Sequence, residues 1–75
     1  MTDVVDSDEL LRRIRRARAC AVQEEHRWRD RRDTLGPTDP DAAREAGVRV
    51  LTYETVLRVL DEILTPGRHA EQGSE

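Results

Sequence analysis

The sequence predicts an all-α fold, an antiparallel helical hairpin with one helix over about 7–35 and a second over about 40–64, expected to dimerise into a four-helix bundle. Three observations carry this. Two long stretches run without a helix breaker and are separated by the short segment GPTDPD at 36–41. The second stretch repeats apolar residues at alternating spacings of three and four, the signature of a helical seam. That stretch also holds more apolar surface than one neighbouring helix can cover.

Composition sets the frame for these elements. A chain of 75 residues buries only about 60% of the surface it exposes when unfolded. With 36% hydrophobic and 39% charged residues, and Trp28 and Tyr53 as its aromatics, an isolated globule would be short of core. A partner is therefore expected. Every basic residue is arginine, and lysine, phenylalanine and asparagine are absent, a bias expected of a high-GC bacterial or phage genome. Four acids in the first nine residues and no apolar run argue against a signal peptide, and no stretch is long and apolar enough to span a membrane, so a cytoplasmic protein with no membrane partner is expected. The net charge of −3 hides segregation: residues 1–9 carry four acids, residues 12–32 nine arginines against three acids, and residues 33–75 nine acids against four arginines.

The domain is expected over 7–64, between a flexible N-terminus at 1–6 and a disordered tail at 65–75. Asp6 or Ser7 can cap the first helix, with Glu9 placed to return the bond to Asp6. Leu10, Ile14, Ala17, Ala21, Trp28 and Leu35 form its apolar stripe, Glu24 fills the missing position, and Leu11 and Val22 widen it on one side. Asp8 with Arg12, Glu9 with Arg13 and Glu25 with Arg29 stand four apart in the favourable order. Gly36, accepting a left-handed exit conformation, and Pro37, unable to continue the ladder, end the helix.

Asp39 and Pro40 supply a cap and a first residue for the second helix. Ala43, Ala46, Val50, Tyr53, Leu57, Leu60 and Leu64 then keep one heptad phase straight through Gly47, which predicts a continuous helix. AlaGlyVal at 46–48 followed by ThrValLeuArgValLeu at 55–60 resembles the helix-turn-helix of lactose-repressor-type headpieces, which would imply a turn at Gly47 and a DNA-reading helix. The connecting ArgValLeuThrTyrGlu at 49–54 is about three residues longer than the turn of that motif.

A tight connection makes the helices antiparallel neighbours, placing Leu10 near Leu64, Ile14 near Leu60, Ala17 near Leu57, Ala21 near Tyr53, and Trp28 near Ala46 and Gly47, so that Gly47 seats the indole. Beyond its seam the second helix displays Ala42, Val56, Val59 and Ile63, a surplus that marks an association surface. The expected interface comprises Leu10, Ile14, Trp28, Val50, Tyr53, Val56, Leu57, Val59, Leu60, Ile63 and Leu64, with the second helices at the centre of a homodimeric bundle or facing a larger protein partner.

No phosphate-binding glycine loop, nucleophile triad or metal spacing occurs, and Cys20, His26 and His69 form no ligand pattern, so no enzyme, cofactor, metal or small-molecule substrate is expected. HisArgTrpArgAspArgArg at 26–32 offers Arg27, Arg31 and Arg32 to a partner or to nucleic acid. The preferred function is a non-catalytic protein–protein interaction module, an adaptor or regulator. The alternative is a nucleic-acid-binding transcriptional regulator using the arginine face of the first helix or a degenerate helix-turn-helix at 42–60.

Overall fold

A computed structural model describes residues 6–67. Residues 1–5 and 68–75, and with them His69 and most of the two expected end segments, lie outside the described residues. Two helices make up the fold, α1 over Ser7–Leu35 and α2 over Pro40–Leu64, packed on one another as the expected hairpin.

Each boundary has a local cause. The Asp6 carboxylate accepts the Glu9 backbone N–H at 2.7 Å, satisfying one of the first-turn donors. Glu9 does not return that bond. Its two oxygens accept from Arg12 at 3.0 Å and Arg13 at 2.9 Å, so Arg12 pairs three residues back rather than with Asp8. At the other end Gly36 stays right-handed (φ −48°, ψ −48°), not left-handed, and its N–H reaches the Arg32 carbonyl. Proline disfavours the helical region in the residue before it through a clash with that residue's Cβ. Gly36 has no Cβ, so it can extend the helical turn up to Pro37. The Thr38 and Asp39 N–H groups close on the Leu35 carbonyl at 3.0 and 2.7 Å. The Asp39 carboxylate then caps α2 by accepting the Ala42 N–H at 3.1 Å, with Pro40 as its first residue. Past Leu64, the Thr65 N–H returns to the Asp61 carbonyl, and Gly67 adopts φ +86° while donating its N–H to Glu62.

α2 runs through Gly47 without interruption, which removes the turn that a helix-turn-helix requires. Its seam is as expected, with Ala43, Ala46 and Val50 buried and Tyr53, Leu57, Leu60 and Leu64 half-buried. The seam of α1 is not. Leu10 and Ala17 are exposed, and the covered positions are Leu11, Ile14, Arg18, Ala21, Glu25, Trp28, Arg32 and Leu35, an unbroken three-four alternation. The helix is rotated so that three charged residues enter the seam. Glu25 rather than Glu24 is the acid in the stripe and is 6% exposed, while Glu24 pairs with Arg27.

The charged seam positions also set the alignment of the helices. Arg18 meets Asp61 at 2.6 Å, and a Cβ added at Gly47 would meet the Arg32 side chain at 3.5 Å. Partners on α2 therefore lie more than a turn further along the chain than the expected pairing of Ala17 with Leu57 and Trp28 with Gly47. Gly47 accommodates the Arg32 stem, and Trp28 lies instead under Arg49, whose guanidinium carbon is 4.6 Å from the ring centroid.

Candidate functional site

The hairpin has two unlike broad sides. With each residue turning the helix by about 100°, Arg18, Val22 and Arg29 fall on one flank of the α1 seam, and Leu10, Ala17, Trp28 and Leu35 on the other. On α2, Gly47, Glu54 and Asp61 flank the seam on one edge, and Tyr53, Leu60 and then Arg49, Val56 and Ile63 on the opposite edge. Side-chain contacts fix which edges face the same way. Arg18 bonds Asp61, and Arg29 bonds Glu54 at 3.0 Å, so these flanks share one side. Trp28 under Arg49 ties the remaining flanks together on the other.

The first side is sealed by charge. Arg29 also bonds the buried Glu25 carboxylate, giving a Glu25–Arg29–Glu54 chain alongside the Arg18–Asp61 pair. The Asp61 hydrogen bond raises the Arg18 pKa above its ordinary value, so this guanidinium carries its charge throughout the working range.

The second side is apolar and uncovered towards the open end of the hairpin. Leu10 is 51% exposed, Val56 40%, Val59 57% and Ile63 54%, with Tyr53 and Leu60 half-buried beside them. Towards the loop the Arg49 guanidinium lies over the Trp28 ring, a cation–π contact that leaves the indole half-buried.

The hairpin's own core is thin. Its buried apolar residues are Ala21, Ala43, Ala46 and Val50, and no large side chain is fully buried. Large apolar residues exposed together on one side mark an interaction site.

Of the expected interface residues, Leu10, Tyr53, Val56, Val59, Leu60 and Ile63 gather here, and Ile14, Trp28, Val50, Leu57 and Leu64 lie along the adjoining seam. Two exposed apolar residues escaped the sequence reading, Val48 at 58% and Leu51 at 62%. Val48 projects from the back of α2, opposite α1, and Leu51 from beside the ion-paired side. Arg18, Glu25, Glu54 and Asp61 were missed as organisers because only apolar residues were counted in the α1 stripe. The same three-four alternation, read without regard to polarity, passes through Arg18, Glu25 and Arg32.

The three arginines singled out at 26–32 do not converge. Arg27 is exposed and pairs with Glu24 at 2.8 Å, Arg31 lies at the edge of Trp28 with its guanidinium carbon 6.0 Å from the centroid, and Arg32 turns towards α2 while bonding Asp33 at 3.1 Å. His26 and Cys20 are exposed on the outer surface of α1. Among the described residues there is no pocket, no cluster of three potential metal ligands, and no helix long and apolar enough to cross a membrane. Comparison with profiles of known protein families, with curated proteins and with solved structures gives no match to this chain.

Proposed function

We propose that the chain is a small non-catalytic protein–protein interaction module, an adaptor or regulator, that acts by contributing its two helices to a larger bundle completed by a second copy or by a larger protein. The observation that carries this reading is the mismatch between the two sides of the hairpin: one ion-paired, the other apolar and open around Val56, Leu60 and Ile63. A hairpin whose buried apolar core is three alanines and a valine gains from burying the larger residues on its open side, at about 25 cal/mol for each Å² of apolar surface removed from water.

The nucleic-acid alternative has less support. The helix-turn-helix route needs a turn at Gly47, where α2 is continuous, and of the arginines at 26–32 that the first helix would offer, Arg27 and Arg32 are engaged by carboxylates.

A photo-crosslinking residue at Val59, expressed in cells beside a control at Gln23 on the exposed outer surface of α1, tests the reading. Protein adducts from Val59 and none from Gln23 are the expected result. Equal yields from both positions, or adducts to nucleic acid from either, would count against it.

A further inference from the structure

We draw no further inference here: the strongest candidate, the apolar patch on the open side of the hairpin around Val56, Leu60 and Ile63 with the Arg31–Trp28–Arg49 cluster at its loop end, carries nothing beyond the surface already described, because nothing in the structure shows what covers it.

Discussion

Arg29 holds the one buried carboxylate in the hairpin, and its removal should be unusually costly. The Glu25 side chain is 7% exposed and the Arg29 side chain 44%, so the pair straddles the boundary between seam and solvent. Replacing Arg29 with methionine keeps the stem and deletes the charge. The exposed His26 imidazole then stands beside Glu25 at 3.8 Å. Stranding a fully buried charge costs about 3–5 kcal/mol. Since Arg29 is partly exposed, its contribution is screened, and about 2–3 kcal/mol is expected for Arg29→Met, or roughly 10–20 °C in midpoint for a domain this small. Glu25→Leu should do the opposite. Arg29 keeps Glu54, the seam gains an apolar side chain, and stability should rise by about 1–2 kcal/mol. The double variant should recover most of the loss. Urea unfolding at fixed protein concentration, followed by far-ultraviolet circular dichroism, measures all three. An Arg29→Met loss under about 0.5 kcal/mol, or a Glu25→Leu variant as unstable as Arg29→Met, would refute the reasoning.

Gly47→Ala should stabilise the chain by about 0.5–1 kcal/mol in thermal unfolding, since the new methyl meets the Arg32 stem at an ordinary contact distance of 3.5 Å and alanine is the better helix former. Ala46 is only 1% exposed in the seam, so overpacking by Ala46→Leu should cost about 1–3 kcal/mol in the same assay. Hydrogen bonds from Arg13 and then Arg12 hold the Glu9 carboxyl below its ordinary pKa. Its contribution to the α1 start is therefore complete above the ordinary carboxylate range and lost as pH falls through the depressed value. Amide exchange across the first turn of α1 should accelerate over that acid window, and Glu9→Gln should abolish the Glu9-dependent part of the change.

Helix boundaries were readable in the sequence because each depends on a few adjacent residues, such as Asp6 and Asp39 as caps, Pro40 at the start of α2 and Pro37 after α1. The continuity of α2 was readable because its seam is entirely apolar and keeps one phase through Gly47. Rotation of α1 and the alignment of the two helices were not, and for one reason. Both show in Arg18 against Asp61, Arg29 against Glu54, and Arg32 against Gly47, contacts between charged or very small residues that hydrophobic periodicity does not weigh. Of the expected stripe, Ile14, Ala21, Trp28 and Leu35 lie in the seam, while Leu10 and Ala17 are exposed and border the open side of the hairpin. Val56, Val59 and Ile63 were identifiable as surplus since they fall outside the α2 heptad. Val48 and Leu51 were missed because attention rested on residues flanking the seam rather than on the back of the helix.

The account turns on whether the apolar side of the hairpin is covered by another chain. Absolute mass by light scattering, measured on the unaltered protein across a dilution series, tests this most directly. The expected result is twice the 8.6 kDa chain mass at high concentration, falling towards one chain on dilution. A mass of one chain throughout, with helix content unchanged, would contradict self-association and leave a larger protein as the chain that covers Leu10, Val56 and Ile63.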